Sequence, residues 1–346
     1  MRCLALADAL QRRGAQCLFI SRAHPGNLHP RIENSGHRLT SLPAAGRGAP
    51  VEDACAHAAW LGGDWQEDAR QTHAAISGQP PDWLIVDHYA LDVHWENEMR
   101  LHSRRLMVID DLADRSHECD LLLDQNLGRE ETDYASLIPT AARRLIGPRY
   151  ALLRPEFASL REYSLVRRRE PTLRRILVSM GGVDQRNATG LVLDALSRCA
   201  LPRDCQVAVV MGKHAPWLNV IRAAAAKMPF ACDVKVDVSD MAQIMADSDL
   251  AIGAAGSTSW ERCAMGLPSI MVVLADNQCG IAEALDRAGA AILIGVGATE
   301  SALAGAAVAL CADMRTLAAL SKAAARVVDG IGTSRVVSGL YAEACE

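Results

Sequence analysis

Short apolar runs alternate with amphipathic stretches along most of the chain, and this alternation predicts an α/β protein. The apolar runs are continuous, which is typical of strands covered on both faces of a parallel sheet. In the N-terminal half, the predicted strands are residues 16–20, 38–42, 83–87, 105–110 and 120–125. Helical periodicity separates them at 3–13, from about 52 to 76, and at 92–103.

A basic, turn-rich segment at 167–175 predicts a linker, after which the pattern restarts. The strands predicted beyond it are 175–180, 206–211, 234–238, 250–254, 270–273 and 290–295. We therefore expect an N-terminal α/β domain at 1–166 and a C-terminal one at 174–346, with the last helix packing back on the first domain. This is a GT-B type organisation, in which two doubly wound, Rossmann-like domains face a cleft.

The amino-acid composition limits the kinds of molecule that the protein is expected to bind. The chain has 346 residues, 50% of them hydrophobic, and a net charge of -5, which suits two domains of ordinary size. An acidic chain with 4% aromatic residues offers no footprint for nucleic acid. No apolar run approaches the roughly 18 residues of a membrane span, and the start does not read as a signal peptide. The 11 cysteines form no CxxC pair, so we expect reduced thiols and a cytoplasmic protein.

The most informative motif is DLAIGAAGSTSWERCAMGLPSIMVV at 249–273, which predicts a strand, a tight turn, a helix and a second strand. Gly253 and Gly256 are expected to let the backbone approach a ligand, and Ser257–Ser259 to cap the helix. The first amides of such a helix bind phosphate well. Glu261, one turn further, is placed to accept hydrogen bonds from sugar hydroxyls. An ordinary strand–turn–helix with a good cap is the alternative.

Polar and glycine residues also follow other predicted strands, at the edge where doubly wound sheets bind ligands. Gly181 and Gly182 suit close approach to a pyrophosphate or sugar, with Asn187 at the next helix start; a simple turn is the alternative. His88 follows the strand at 83–87 between Asp87 and Tyr89.

Two further loops carry candidate side chains. Asn277 and Gln278 offer amides that suit acetamido groups of a sugar, and an Asn helix cap is an equal alternative. Asp110 and Asp111 are either paired carboxylates or part of a turn.

The sequence contains no P-loop, no GxSxG nucleophile elbow and no HExxH motif. We therefore expect neither a metal nor a cofactor.

Six motifs follow one another along the chain: VDHYALD (86–92), IDDLADRSHECDLLLDQN (109–126), GPRYALLRPEF (147–157), SMGGVDQRNATG (179–190), MADSDLAIGAAGSTSWE (245–261) and VVLADNQ (272–278). Together they resemble one family, the UDP-2,4-diacetamido-2,4,6-trideoxy-β-L-altropyranose hydrolases of pseudaminic acid biosynthesis. The resemblance implies a metal-independent enzyme that removes UDP by attack of water at the anomeric carbon, with inversion. It also implies a small-molecule UDP-sugar as the partner, and we expect a monomer.

The resemblance also implies roles for individual residues. Gly256, Ser257 and Thr258 would hold the diphosphate, and Glu261 the uridine ribose. Asn187 would contact the substrate, while Tyr89 and Asn277 would line the sugar and water site. The candidate catalytic residues are thus His88, Tyr89 and Asn277, and the candidate substrate-binding residues are Gly181, Gly182, Asn187, Gly256, Ser257, Thr258, Glu261 and Gln278.

One departure from the family concerns the base. The family begins with a strand and a loop of the form GxGHxxRCLALA, whose histidine is the proposed base for the attacking water. Residues 1–4 match the end of that motif, so we expect the strand, the loop and the histidine to be absent here, leaving His88 as the candidate base. Two alternatives stay open: an inverting GT-B glycosyltransferase resembling the UDP-GlcNAc transferase of peptidoglycan lipid synthesis, or an inactive UDP-binding module.

Overall fold

A computed structural model describes residues 1–24, 26–44, 57–76, 78, 80–295, 297 and 299–343. Its contacts divide the chain into two units. Unit 1 comprises Met1–Leu152 together with Thr333–Glu346, and unit 2 comprises Leu153–Gly332. Every strand pairing in the described part of the chain is parallel, as the continuous apolar runs predict.

The elements are numbered in chain order. The helices are α1 (Arg2–Gln11), α2 (His29–Asn34), α3 (Trp65–Ala75), α4 (Val93–Arg100), α5 (Pro155–Arg167), α6 (Ala188–Ser197), α7 (Leu218–Ala225), α8 (Met241–Asp247), α9 (Thr258–Ala264), α10 (Cys279–Arg287), α11 (Glu300–Ala312), α12 (Met314–Val327) and α13 (Gly332–Glu343). The strands are β1 (Leu18–Arg22), β2 (Arg38–Leu42), β3 (Leu84–Val86), β4 (Leu106–Ile109), β5 (Leu121–Asp124), β6 (Arg143–Ile146), β7 (Arg175–Ser179), β8 (Gln206–Met211), β9 (Ala231–Val236), β10 (Leu250–Ala254), β11 (Ser269–Val272) and β12 (Ile292–Ile294).

Unit 1 contains a four-stranded sheet in the order β3-β4-β5-β6 and a separate pair, β1 and β2. Successive side chains of β4 and β5 point to opposite faces, and both faces are covered. One face packs against α4, through Trp95 and Met99. The other packs against Leu6 of α1 and against α13, through Val336, Val337 and Leu340. Burial on both sides explains why β4 and the first three positions of β5 are apolar.

Unit 2 contains a six-stranded sheet in the order β12-β11-β10-β7-β8-β9. The chain begins in the middle with β7, adds β8 and β9 on one side, and then adds β10, β11 and β12 on the other. The order of strands therefore reverses between β7 and β10. In doubly wound sheets, ligands bind at the carboxyl ends of the strands at such a switch point.

Some elements differ from the sequence expectations. Neither β6 nor α5 is predicted by the hydrophobic pattern, and the predicted linker lies at 167–175, whereas the two units divide after Leu152. The reason is that α5 packs within unit 2, where Phe157 is buried and Ser164 donates a 2.7 Å hydrogen bond to the Met265 carbonyl. The beginning of the helix expected from about residue 52 lies outside the described residues; the described helix starts at Trp65, capped by Asp64.

No single helix among the described residues is long and apolar enough to cross a membrane. One helix pair, Ser301–Leu310 with Met314–Ala342, reaches that length and composition only when its two arms, bent by 96°, are counted together.

Candidate functional site

Two candidate loops of unit 2 begin side by side at the switch point. Ser179 at the end of β7 pairs with Gly253 near the end of β10. The loop that contains Gly181 and Gly182 and the loop that contains Gly256 therefore leave the sheet at adjacent positions of its carboxyl edge. Residues about 75 positions apart in the chain are thus brought to one end of the sheet, where ligands bind in this class of fold.

The loop between β10 and α9 presents three adjacent amides. Within the described residues, the N–H groups of Gly256, Ser257 and Thr258 donate to no acceptor, while that of Ala255 donates to the Val272 carbonyl at 3.2 Å. A Cβ atom at Gly256 would meet nothing within 4 Å, so this part of the loop is open. Amides at the start of a helix carry partial positive charge and suit an anion.

Two expectations about this loop are wrong. Gly253 does not face a ligand: a Cβ there would lie 2.2 Å from Nη1 of Arg262 and 2.8 Å from the Ser179 carbonyl oxygen. Ser257 occupies the N-cap position of α9 but its side chain makes no capping hydrogen bond. Ser259, which was expected to share in capping, is buried and accepts a hydrogen bond from Arg262. The hydroxyls of Ser257 and Thr258 remain available to a ligand.

Glu261 and Arg262 are neighbours in α9 with different surroundings. Glu261 is half-buried in the first turn of the helix. Arg262 is only 3% exposed, and its Nη2 donates to the Ala254 carbonyl at 2.9 Å and to Ser259 Oγ at 2.8 Å. Burial lowers the pKa of Arg262 to about 10, so the guanidinium stays charged at neutral pH. Sequence reasoning missed Arg262, because an arginine next to Glu261 in a helix that also contains Thr258 and Ser259 reads as part of an exposed polar face.

The loop after β7 is shaped by glycine and aspartate. Gly181 has a φ of 90°, which favours glycine, and a Cβ at Gly181 or Gly182 would meet nothing within 4 Å. Asp184, rather than Asn187, caps α6: its carboxylate accepts from the amides of residues 188 and 189 at 2.9 Å each. Asn187 has a left-handed backbone and lies against Gly190, with its Oδ1 buried and without a hydrogen-bond partner.

The loop after β11 carries the two predicted amides. Asn277 is exposed in a short turn. Gln278 Oε1 accepts a 3.0 Å hydrogen bond from the Leu274 amide and so stabilises the loop from within. The residue at the N-cap of α10 is Gln278, and its side chain makes no capping hydrogen bond. Asn277 is therefore not a helix cap, and its amide faces solvent at the same edge of the sheet as Gly256.

In unit 1, the carboxyl ends of β3 and β4 carry an ion-pair network. Arg2 bonds Asp87 at 2.6 and 3.0 Å and Asp111 at 2.7 and 2.9 Å. Tyr89 donates its hydroxyl hydrogen to Asp111 at 2.9 Å. Burial opposes ionisation of Asp87, but Arg2 outweighs it and holds the pKa of that carboxyl below its ordinary value. Burial, and then Asp111, raise the pKa of Tyr89, which is therefore a neutral donor. Sequence reasoning missed Arg2.

His88 and Asp110 are held by the backbone beside this network. The Ala90 amide donates to His88 Nδ1 at 3.1 Å, so the neutral ring carries its hydrogen on Nε2. Burial lowers the pKa of His88. Asp110 is buried and accepts the amides of residues 112 and 113, as in an ordinary turn, while Asp111 faces Arg2. The two adjacent aspartates therefore do not act as one carboxylate pair.

Parts of the chain are similar to known proteins. Residues 175–331 match the glycosyltransferase family 28 C-terminal domain. The spore coat polysaccharide biosynthesis protein SpsG of Bacillus subtilis is 31% identical over 152 residues, which are 44% of this chain and 43% of that protein. The UDP-2,4-diacetamido-2,4,6-trideoxy-β-L-altropyranose hydrolase of Campylobacter jejuni is 28% identical over 174 residues, which are 50% of this chain and 60% of that protein. The chain thus spans 42% to 60% of the length of the curated relatives it matches.

Solved structures show the same architecture. MurG of Acinetobacter baumannii has a TM-score of 0.66 to this chain at 15% identity, covering 98% of this chain and 95% of that one. Identity this low indicates the fold alone. The predicted GT-B type α/β fold is thereby confirmed, and the segment similar to the family 28 domain contains the sheet of unit 2 and its candidate loops.

Proposed function

We propose that the chain binds a UDP-sugar through unit 2 and removes UDP from it by hydrolysis. The observation that carries the proposal is the group of three amides at residues 256–258 at the switch point, inside the segment similar to the family 28 domain. A diphosphate is the kind of anion that such amides bind. Glu261, in the first turn of α9, is the proposed acceptor of hydrogen bonds from the ribose hydroxyls.

The proposed substrate is UDP-2,4-diacetamido-2,4,6-trideoxy-β-L-altropyranose. Its support is the 28% identity with the Campylobacter jejuni hydrolase of that substrate, together with the motifs shared with that family. The exposed amide of Asn277 suits an acetamido group. This small molecule is the only partner proposed, bound by a monomeric, cytoplasmic enzyme.

In the proposed reaction, a water oxygen bonds to the anomeric carbon while the bond from that carbon to the phosphate oxygen breaks. The electron pair stays on the departing UDP, where the amides of residues 256–258 stabilise the added negative charge. The proton of the water goes to a base. His88 is the candidate, but it can accept a proton at Nε2 only by giving up the hydrogen bond from Ala90 to Nδ1. We therefore expect slow turnover.

The first prediction concerns nucleotide binding. Glu261→Ala should weaken binding of UDP by about 1.5–3 kcal/mol, the range for a hydrogen bond to a charged group. Isothermal titration of the full chain with UDP measures the change. Glu283→Ala is the control, because Glu283 lies on the exposed side of α10 beside Arg287. Failure of the wild-type chain to bind UDP, or unchanged affinity in Glu261→Ala, contradicts the proposal.

Turnover in ¹⁸O-labelled water, with EDTA present, separates the alternatives. Attack at the anomeric carbon places the label in the released sugar, and label in UDP would contradict the proposed bond cleavage. A glycosyltransferase would release UDP only when an acceptor sugar is added. An inactive module would bind UDP without releasing it from the sugar nucleotide.

Among the described residues, no three His, Cys, Asp or Glu side chains converge to hold a metal ion, and metal-independent turnover stays a prediction.

A further inference from the structure

We infer that Arg262 is a positioning residue for the diphosphate, a buried cation that fixes the loop 255–258 and supplies positive charge behind it. The inference rests on the proposed function, since it names a group that favours the bound phosphates without touching them. Three observations carry it: the contacts of the guanidinium, the lack of a carboxylate partner, and the glycine that makes room for it.

The contacts of Arg262 span the loop. Nη2 donates to the Ala254 carbonyl, at the end of β10, and to Ser259 Oγ, in the first turn of α9. These two acceptors lie on either side of the amides of residues 256–258. One planar group therefore holds both ends of the loop, and a guanidinium has the fixed geometry for this task.

The charge of Arg262 has no counter-ion in the described part of the chain. No carboxylate lies within 4.0 Å of its guanidinium, and its buried Nε has no hydrogen-bond partner. The Glu261 carboxylate acts on it only from beyond ion-pair distance. By contrast, the buried Arg115 of unit 1 pairs with Asp110 at 2.9 Å. A buried charge without a partner is costly, and an anion on the neighbouring amides would offset that cost.

Gly253 in β10 leaves space for the side chain of Arg262. Any residue other than glycine at position 253 would place a Cβ atom 2.2 Å from Nη1 of Arg262. Glycine inside a strand weakens it, because it has no side chain to pack and loses more entropy on folding. A glycine in one of the central strands thus accommodates a buried cation that bonds Ala254 and Ser259, the residues on either side of the open loop. Structural packing alone would be better served by an apolar residue at 262.

The test compares variants of the full chain by titration with UDP and, in competition, with uridine. Arg262→Met removes the charge and keeps the volume, and Arg262→Gln removes the charge but keeps a donor for Ala254. Arg168→Met is the matched control. Arg168 is also a buried arginine of unit 2 held by carbonyl oxygens, but it bonds Met245 and Ser248, before β10 at the opposite edge of the sheet.

Both Arg262 variants should lower affinity for UDP by about tenfold or more, while affinity for uridine, which lacks phosphate, stays within about twofold. Arg168→Met should leave both unchanged. Equal losses of affinity for UDP and uridine would show that the role of Arg262 is merely structural. An unchanged affinity for UDP in Arg262→Gln would show that the charge is not needed. Either result overturns this inference but leaves the proposed function standing. A wild-type chain that binds no UDP overturns the proposed function as well.

Discussion

At the scale of single residues, a buried cluster in unit 1 shows how a fold can shift the pKa values of two carboxyls in opposite directions. The Tyr134 hydroxyl lies 2.9 Å from Asp110 Oδ2 and 2.9 Å from Asp124 Oδ2. A hydroxyl has one hydrogen to donate, so it donates to one carboxylate, and the second contact becomes a hydrogen bond when the other carboxyl is protonated. Burial opposes ionisation of Asp110, but Arg115 holds its pKa low. Burial raises the pKa of Asp124 to about 6, so Asp124 is the carboxyl of this pair that takes up a proton first as the pH falls.

This cluster predicts a pH dependence of stability. The pKa of Asp124 rises from 3.8 to about 6 on folding, so its contribution is fully present below about pH 4 and is lost as the pH rises through about 6. The free energy of unfolding of the wild type, minus that of Asp124→Asn, should fall by about 2–3 kcal/mol between pH 4 and 7.5. Urea denaturation at several pH values measures it. Parallel pH dependences of the free energy of unfolding for the wild type and Asp124→Asn would contradict the prediction.

Single residues also show what the sequence can and cannot predict about the site. The positions of the candidate loops were predictable, because small and polar residues directly follow apolar strands. The roles of single side chains were not. Gly253 and Gly256 look alike in the sequence, yet one accommodates a side chain from α9 and the other is open. The contacts of Arg2 with Asp87 and Asp111 join residues more than 80 positions apart, so no local pattern indicates them.

At the scale of elements, the hydrophobic pattern is reliable where strands are central. The bounds of β8 and β10 are confirmed as predicted, because both are buried between neighbours. The missed β6 lies at the edge of its sheet and begins with two arginines, so it lacks a continuous apolar run. The missed α5 begins at Pro155 and buries few of its side chains, Phe157 and Ser164 among them. Its packing in unit 2 depends on polar contacts that leave no periodic signal.

The glycine in β10 gives a prediction at this scale. Gly253→Ala should lower the stability of unit 2 by about 1–3 kcal/mol, because the new methyl group must displace Arg262 or the backbone at Ser179. Gly256→Ala, where the methyl group meets open space, should change stability by no more than about 0.5 kcal/mol. Urea unfolding followed by tryptophan fluorescence reports this, since Trp260 is buried in α9. Equal effects of the two substitutions would refute the packing argument.

At the scale of the whole molecule, α13 completes the core of a unit whose other elements lie before residue 153. Leu340 is 2% exposed and packs with Met107 and Leu123 of the unit 1 sheet. Leu340→Ala should lower the free energy of unfolding of unit 1 by about 2–5 kcal/mol, the usual loss for a buried leucine. Ala342→Ser, at an exposed position of the same helix, is the control. An equally small effect of both in urea denaturation would mean that α13 is dispensable to unit 1.

The split composition of unit 1 also sets an order of events during synthesis. On the ribosome, β4 and β5 emerge long before α13, and all of unit 2 is made in between. The face formed by Met107, Ile109, Leu121 and Leu123 is therefore covered only in part, by Leu6 of α1, until α13 is made. Exposed apolar surface of this kind is what chaperones bind and what drives aggregation. Unit 2 is an uninterrupted segment that is synthesised in full before α13, so unit 1 can complete its core only after residues 333–343 have left the ribosome.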